Sequence, residues 1–215
     1  EAKLETEHST ITGAMTVEFD GEERTFSQMA LYFENTDRSI REAAWRTVVE
    51  RMGQDSERLS GIYDELIRIR HQMALNAGFD DYRPYIFEAK HRYDYSIDDC
   101  LEFHDSIERV CVPMMHELQE RRREALGVAT LRPWDVGEKS GGGVDIHGRP
   151  PLAPFEDVER LISGCSNVFH GMSPELGGMF DMLRERNSLD LESRKGKAPG
   201  GYQANLEKTR IPFIF

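Results

Sequence analysis

The sequence predicts a mainly α-helical protein with a short β-strand near its C-terminal end. Apolar residues recur every three, four or seven positions over residues 36–78 and again over residues 96–127, which is the spacing of one face of an amphipathic helix. Residues that favour helix starts and glycines that favour helix ends stand beside these runs. Patterns typical of β-strands are confined to short stretches, residues 10–26 and 211–215.

The N-terminal region combines a strand-like pattern with a short helical one. Residues 10–19 alternate partly between apolar and polar side chains, and Asp20-Gly21 is a strong turn signal before residues 22–26. This arrangement predicts a short hairpin. Residues 27–33 are long enough for one or two helical turns, and no motif that carries chemistry occurs in this region.

A long amphipathic helix is predicted next, beginning after Thr36 or Asp37 and continuing to Gly78. About forty residues at ~1.5 Å each would form a rod about 60 Å long. Gly53 and Gly61 are the positions where it would bend or divide. Such a helix suits the wall of a helical channel and also a coiled-coil or helical-repeat scaffold, and the sequence leaves both open. Its apolar positions are Ile40, Ala44, Val48, Met52, Leu59, Ile62, Leu66, Ile69 and Met73.

An aromatic, proline-containing connector, residues 79–95, leads to a second long helix. Ser96 and Asp99 form a capping-box pattern at its start, and Gly127 is a natural C-cap. Pro113 should kink this helix because it lacks a backbone N–H donor. The predicted buried face, in which we interpret the cysteines as small core residues, comprises Cys100, Phe103, Ile107, Cys111, Met114 and Leu118.

The remaining sequence predicts a connector, two shorter helices and a strand. Residues 128–153 contain three prolines and a glycine run at 141–143, which lacks the Gly-Lys-Ser/Thr ending of a phosphate-binding loop. We therefore exclude nucleotide binding there. Pro154 is placed to begin one helix and Pro174 the next, with Asn187 at the end of the second. A glycine-rich turn and the final strand follow.

Composition excludes several classes of function. The formal net charge of −12 argues against a nucleic-acid partner, because phosphate binding needs clustered Lys and Arg. The same charge makes the rings of residues 79–95 more suitable for packing between helices than for stacking on bases. No apolar run approaches about 18 residues, and no signal-peptide pattern is present. Three cysteines are too few for a disulfide framework and indicate a reducing compartment, the cytoplasm.

Neither candidate metal site in the sequence is complete. His116 and Glu117 begin like the zinc motif His-Glu-x-x-His, but the fifth position is Glu120 rather than a second histidine. Cys100 and Cys111 are eleven residues apart, about 16 Å along a helix, whereas zinc ligands lie within about 2.3 Å of the ion. His104 shares their stripe but would need partners from elsewhere. We therefore predict no metal ligand and no catalytic residue in these 215 residues.

The C-terminal part resembles a known family of peptidases. Residues 189–202, which end in Arg-Lys-Gly-Lys-Ala-Pro-Gly-Gly-Tyr, and the Pro-Phe-Ile-Phe of residues 212–215 are similar to the segment upstream of the zinc motif in oligoendopeptidase F and its thimet oligopeptidase relatives. Leu126-Gly127 and Trp134-Asp135 fit the family more loosely. The resemblance covers roughly residues 90–215, with specific motifs only near the end.

This resemblance implies a zinc endopeptidase that hydrolyses short peptides in a channel between two helical lobes. In the family, zinc polarises the scissile carbonyl and activates a water, and the glutamate of the His-Glu-x-x-His helix acts as general base. That helix follows the strand shortly downstream, so it would lie beyond Phe215. The start at Glu1 and the apolar end also favour a fragment, which we expect to be inactive without catalytic zinc. Residues 1–95 would belong to the N-terminal lobe and residues 96–215 to the upstream part of the catalytic domain.

The glycine-rich turn is the predicted substrate-binding element. Gly200, Gly201 and Tyr202 would approach a bound peptide, and the final strand would offer its edge for a further strand. Lys195 and Lys197 are candidates for holding a substrate carboxylate, although solvated lysines are commoner. In the alternative interpretation the glycines only let the chain reverse, and the protein is a non-catalytic helical scaffold or peptide-binding module. A relative that kept the fold but lost zinc is a third possibility.

Overall fold

The computed structural model describes residues 1–136, 144–198 and 200–215, and it confirms the mainly α-helical prediction. Within these residues the helices are α1 (Ala2–Gly13), α2 (Phe26–Phe33), α3 (Arg38–Gln54), α4 (Ser56–Asn76), α5 (Tyr82–Ala89), α6 (Ile97–Ser106), α7 (Val112–Ala125), α8 (Pro133–Val136), α9 (Val158–Met172) and α10 (Pro174–Glu185). The strands are β1 (Thr16–Phe19), β2 (Glu22–Thr25), β3 (Gln203–Leu206) and β4 (Ile211–Ile214). None of these helices combines the length and apolar character that crossing a bilayer requires.

The predicted N-terminal hairpin forms, but its first strand is shorter than predicted, because residues 10–13 belong to α1 and β1 begins at Thr16. β1 and β2 pair antiparallel, from Thr16 opposite Thr25 to Phe19 opposite Glu22. The turn residues Asp20 and Gly21 have φ values of 55° and 76°, the left-handed conformation that matches the twist of a two-residue hairpin.

Helix α1 was not predicted, because its sequence is polar around most of its circumference. Three ion pairs join the start of the chain to α4: Arg58 pairs with Glu7, and Arg70 pairs with Glu1 at 2.8 Å and with Glu5 at 3.3 Å. Partners more than fifty residues away leave no periodic pattern in the sequence of α1.

The N-terminal elements share a small apolar core. Val17, Met29, Ala44 and Val48 come from β1, α2 and α3 and are each at least 92% buried. Four aromatic side chains pack around them, namely Phe19, Phe26, Tyr32 and Phe33. This core fixes the hairpin and α2 on one face of α3.

The predicted long helix is helical throughout most of its length but is not one rod. It divides at Asp55, whose φ of −104° and ψ of 5° lie outside the helical range, so α3 and α4 are separate helices. The break lies beside Gly53, one of the two predicted weak points, whereas Gly61 lies within α4. Asp37 caps α3, as predicted, by accepting a hydrogen bond from the Ser39 N–H at 2.8 Å.

The second long helix is interrupted just before Pro113, and the predicted kink itself stays a prediction. A π-helical turn, Ile107–Cys111, separates α6 from α7, and Pro113 occupies the first turn of α7, where a missing N–H is tolerated. Ser96 and Asp99 form the predicted capping box. Gly127 follows α7 with a φ of 64°, in agreement with its predicted C-cap role.

The predicted burial of the α6–α7 apolar face is wrong for this chain. Phe103 is 64% exposed and Met114 59% exposed, and Cys111 is exposed rather than a core residue. The spacing identified an apolar face correctly, but burial requires a neighbouring element, and the described residues supply none along this face.

The last two helices pack closely against each other. Helix α9 begins at Val158 rather than at Pro154, because the Asp157 carboxylate caps it by accepting a bond from the Arg160 N–H. Phe169 of α9 stacks on Phe180 of α10, with ring centroids 5.1 Å apart. The glycine run at residues 141–143 lies outside the described residues.

A small sheet ends the chain. The predicted strand over residues 211–215 is confirmed as β4, which pairs antiparallel with β3. On its other side β4 meets residues 188–190 in a parallel bridge. β3 was not predicted, because Gln-Ala-Asn-Leu has no β-type pattern and all four residues are exposed.

Candidate functional site

The glycine-rich segment, residues 193–201, lies against the N-terminal hairpin, and the structure describes all of it except Pro199. The Gly196 N–H donates to the Gly13 carbonyl oxygen at 2.7 Å. The hydroxyls of Ser193 and Thr25 hydrogen-bond at 2.9 Å. Lys195 reaches the Glu23 carboxylate at 2.6 Å. Contacts from the N-terminal region therefore hold this segment near the start of β3.

Both lysines of the segment already have partners in this structure. The ammonium of Lys197 donates to the carbonyl oxygens of Asp190 at 2.7 Å and Glu192 at 2.9 Å. It also lies 4.3 Å from the centroid of the Phe215 ring, and its side chain is only 8% exposed. Lys195 pairs with Glu23, but its side chain is 58% exposed, and binding of a substrate carboxylate by either lysine stays a prediction.

Asp190 pairs with two cationic side chains of the glycine-rich segment, Arg194 and Lys197. Two hydrogen bonds from the Arg194 guanidinium, at 2.7 and 2.9 Å, are the largest cause that lowers its pKa, and Lys197 lowers it further. Partial burial opposes this effect, and the pKa of Asp190 is about 2. The carboxylate therefore remains ionised at every physiological pH and keeps Arg194 and Lys197 in place.

The three predicted substrate-binding residues lie together where the segment meets the sheet. Gly200 has a φ of 100°, which disfavours any side chain. A Cβ on Gly201 would lie 3.2 Å from the Phe215 carbonyl oxygen. Tyr202 and Phe215 exchange two backbone hydrogen bonds, and their rings stack with centroids 4.8 Å apart. Binding of a peptide by these residues stays a prediction.

A cleft of about 300 Å³ adjoins Gly200 and Gly201. Its walls come from the end of α1, the β2–α2 junction, the glycine-rich segment and the end of β4; they are Thr12, Gly13, Met15, Thr25, Phe26, Ser27, Leu191, Ser193, Lys197, Ala198, Gly200, Gly201 and Phe215. Lys197 is the charged residue among them, and its ammonium is already bonded. The cleft is thus lined by hydroxyl, apolar and backbone groups.

The open strand edge belongs to β3 and not, as predicted, to the final strand. β4 bonds on both sides, since the Ile214 N–H donates to the Ser188 carbonyl oxygen at 2.8 Å. In β3 the alternation of an antiparallel ladder turns the backbone N–H and C=O groups of Gln203 and Asn205 away from β4. Within the described residues, no other strand pairs with this edge.

The metal candidates of the sequence do not assemble. Glu117 pairs with Arg121 at 2.5 Å, and Glu120 pairs with Arg123 at 2.6 Å, so both carboxylates beside His116 are engaged. The three cysteines are free. Across residues 1–136, 144–198 and 200–215, no group of three or more His, Cys, Asp or Glu side chains is placed to hold a metal ion. The donor groups described do not fit a zinc site.

Asp135 forms the centre of a buried ionic network. In the sequence it is notable only as part of the Trp134-Asp135 pair that fits the family resemblance. Its side chain is fully buried and accepts bonds from Arg38 at 2.9 and 2.8 Å and from Arg41 at 3.1 Å. Burial alone raises the pKa of Asp135, but bonds from Arg38, the Arg132 N–H and Arg41 outweigh it and lower the pKa. Sequence separations of 94 and 97 residues explain why no local pattern revealed this network.

The network extends to α7 through Arg122. This guanidinium donates to the Asp135 carbonyl oxygen at 2.7 Å and to the Val144 carbonyl oxygen. Burial, with the nearby positive charge of Arg41, lowers the pKa of Arg122. The rings of Trp45 and Trp134 pack beside these charges, 5.5 Å apart. Together these contacts join α3, α7 and the chain around α8.

Similar sequences and structures are found among peptidases. The model of the family described as Peptidase family M3 matches residues 31–215. A protein assigned as oligoendopeptidase F from Bacillus anthracis has a similar structure, with a TM-score of 0.86 and 28% identity over 99% of this chain. PZ peptidase A, solved with an inhibitor, has a TM-score of 0.88 and 30% identity over 99% of this chain. A further protein assigned as oligoendopeptidase F has a TM-score of 0.88 and 28% identity over 99% of this chain.

These solved chains are considerably longer, since this chain spans 38%, 37% and 36% of their respective lengths. None of the curated proteins matches the sequence. The family match covers most of the chain, including α3 to α10 and the terminal sheet, and the structural similarity covers almost all of it. The chain therefore belongs to peptidase family M3.

Proposed function

We propose that this chain forms part of a zinc-dependent endopeptidase that hydrolyses short peptides in a channel between helical lobes. The observation that carries the proposal is the open edge of β3 beside Gly200 and Gly201, in a chain whose family is a peptidase family. PZ peptidase A was solved with an inhibitor, which supports a ligand-binding cavity in a protein of this fold. Metal-assisted hydrolysis is the proposed reaction class.

A substrate peptide would bind in an extended conformation as an additional strand. The backbone groups of Gln203 and Asn205 are the donors and acceptors for it, as in other cases of strand addition. Gly200 and Gly201 carry no side chain, so the peptide backbone can approach closely at the start of the strand. The exposed ring of Tyr202 would contact the peptide from the same end.

The zinc ligands belong, in this proposal, to parts of the protein outside these 215 residues, because the described donor groups do not fit a zinc site. The chain alone would then neither bind catalytic zinc nor cleave peptides. Residues 1–95 would contribute to the N-terminal lobe and residues 96–215 to the catalytic domain. We place the protein in the cytoplasm, in keeping with its three free cysteines, and the net charge of −12 argues against a nucleic-acid partner.

The test compares the full-length protein with the 215-residue chain for zinc content and for cleavage of quenched fluorescent peptides. Stoichiometric zinc and chelator-sensitive cleavage by the full-length protein alone are expected. A full-length protein that binds no zinc and cleaves nothing would contradict the proposal and favour the scaffold or peptide-binding alternative. Zinc in the 215-residue chain alone would show that its own histidines or cysteines bind the ion.

The strand edge is tested separately with Asn205→Pro. This change removes an outward N–H but no β3–β4 hydrogen bond, so the hairpin should survive. Loss of one hydrogen bond to the substrate costs about 0.5–1.5 kcal/mol of binding free energy, so kcat/KM should decrease roughly twofold to tenfold. Asn205→Ala is the matched control, because it changes the same side chain and keeps the N–H. Equal kcat/KM values for the two variants would contradict peptide binding at this edge.

A further inference from the structure

Two N-terminal elements, α1 and β2, contribute three contacts to the glycine-rich segment. Gly13 ends α1 and accepts the Gly196 N–H; Glu23 lies in β2 and binds Lys195; Thr25 caps α2 and bonds to Ser193. We call Gly13, Glu23 and Thr25 the anchor residues. Their partners lie within four residues of one another, immediately before the part of the segment that reaches β3.

Two of the anchor contacts are themselves held in place. The Thr16 hydroxyl donates to the Glu23 carboxylate at 2.7 Å and so orients it toward Lys195. The hydrogen bond from Lys195 is the largest cause that lowers the pKa of Glu23, followed by the one from Thr16. Thr25 is also bound to Gln28 in the capping box of α2. Glu23 and Thr25 are therefore each held by a second contact within the N-terminal region.

The end of α1 and the glycine-rich segment approach each other backbone to backbone at Gly13. A Cβ at this position would lie 3.4 Å from the carbonyl carbon and the carbonyl oxygen of Lys197. These are ordinary van der Waals distances, so alanine would be accommodated at this position. The contact at Gly13 therefore rests on the hydrogen bond from the Gly196 N–H to its carbonyl oxygen.

We infer that Gly13, Glu23 and Thr25 are positioning residues, which hold the glycine-rich segment so that Gly200, Gly201 and the edge of β3 are preordered for an extended peptide. This inference rests on the proposed function. Gly196 and Gly200 both have positive φ values, 83° and 100°, so a segment released from its anchors has much conformational freedom. Binding would then require the segment to be ordered again, which weakens affinity.

The predicted consequence is a rise in KM with little change in kcat. Preordering of a peptide-binding edge favours the ground state and the transition state to a similar extent, and loss of such uniform binding raises KM selectively. Glu23→Lys replaces the attraction between Glu23 and Lys195, whose charged atoms lie 2.6 Å apart, by a repulsion. We expect KM to rise about threefold to tenfold as a result. A defect in overall folding would instead lower the amount of active enzyme.

The experiment is a charge-reversal cycle in the full-length protein. Glu23→Lys and Lys195→Glu are compared singly and together, because the double variant restores an opposite-charge pair. Glu22→Lys is the matched control: it makes the same change on the same strand, but Glu22 pairs with Arg24 rather than with the glycine-rich segment. Steady-state kinetics are measured with one quenched peptide, and hydrogen exchange is followed in residues 194–202.

The expected result is faster exchange at residues 194–202 and a higher KM in each single variant, with recovery within about twofold in the double variant. Unchanged exchange in the single variants would overturn the anchoring itself. Faster exchange with an unchanged KM would overturn the positioning role while leaving the peptidase intact. Absence of cleavage by the unaltered protein would instead contradict the proposed function, and the exchange data would still report on the anchors.

Discussion

Replacing Asp135 by asparagine removes the negative charge at the centre of the buried ionic network. The change keeps the size of the side chain but leaves Arg38 and Arg41 without a carboxylate partner. The Arg41 side chain is only 3% exposed, so water cannot substitute for the lost charge, whereas Arg38 is 41% exposed and recovers part of its hydration. Most of the lost free energy of unfolding should therefore come from Arg41.

The magnitude follows from this difference in exposure. Removing one partner of a buried ion pair typically costs about 3–5 kcal/mol. Arg41 keeps bonds to the carbonyl oxygens of Asn35, Thr36 and Trp134, and these disperse part of its charge. We therefore expect the lower end of the range, about 3 kcal/mol for Asp135→Asn. Asp135→Ala should cost more, because it also loses the bond from the Arg132 N–H at 3.0 Å.

Urea unfolding measures this effect as a lower midpoint at constant m-value. Glu42→Gln is the control, because Glu42 forms an exposed i,i+4 pair with Arg46 on the same helix and should change the free energy of unfolding by less than about 0.5 kcal/mol. A loss of less than about 1 kcal/mol for Asp135→Asn would refute the argument that burial of Arg41 makes the network indispensable.

Two further predictions concern the C-terminal helices and the glycine-rich segment. In α10, Gly177→Ala places a Cβ 2.3 Å from the His170 ring and should lower the free energy of unfolding by about 1–3 kcal/mol. Its neighbour Gly178 is the control: the Cβ of Gly178→Ala meets nothing within 4 Å, and the change should raise the free energy of unfolding by about 0.5–1 kcal/mol. Equal thermal midpoints for the two variants would contradict this packing. The pKa of Asp190 is lowered to about 2 in the folded state, so its contribution to stability is fully present above the unfolded pKa of about 3.9 and is lost as the pH falls through 2. NMR titration of the Asp190 carboxyl carbon with a midpoint near 4 would show that Arg194 and Lys197 do not bind it in solution.

Local features of the fold followed from local chemistry. Ser96 with Asp99, Asp20 with Gly21, and Gly127 are short-range signals, and each produces the cap or turn that its residue types favour. Their hydrogen bonds lie within a few residues, so neighbouring sequence contains all the necessary information. Where two helix-start signals compete, the residue that supplies a capping bond decides the start. Asp157 rather than Pro154 begins α9, because the Asp157 carboxylate accepts a capping hydrogen bond.

Features that depend on distant partners were not predictable from spacing. The α6–α7 stripe that includes Phe103 has a helical period, yet its exposure depends on what packs beside it. Lys197 has the sequence context of a solvated loop lysine, but the fold closes carbonyl groups around its ammonium. The strand β3 is polar, and its extended conformation depends on pairing with β4.

The sequence by itself determined the helical class, several helix boundaries, the terminal strand and the residues that carry the family resemblance, because periodicity, caps and turn residues act over a few positions. The tertiary structure decided which side chains are buried, which strand edge is open and which charges meet. The pairing of Asp135 with Arg38 and the docking of the glycine-rich segment on Gly13 each join residues far apart in the chain. Such contacts form only when the chain closes long loops, so no local pattern specifies them.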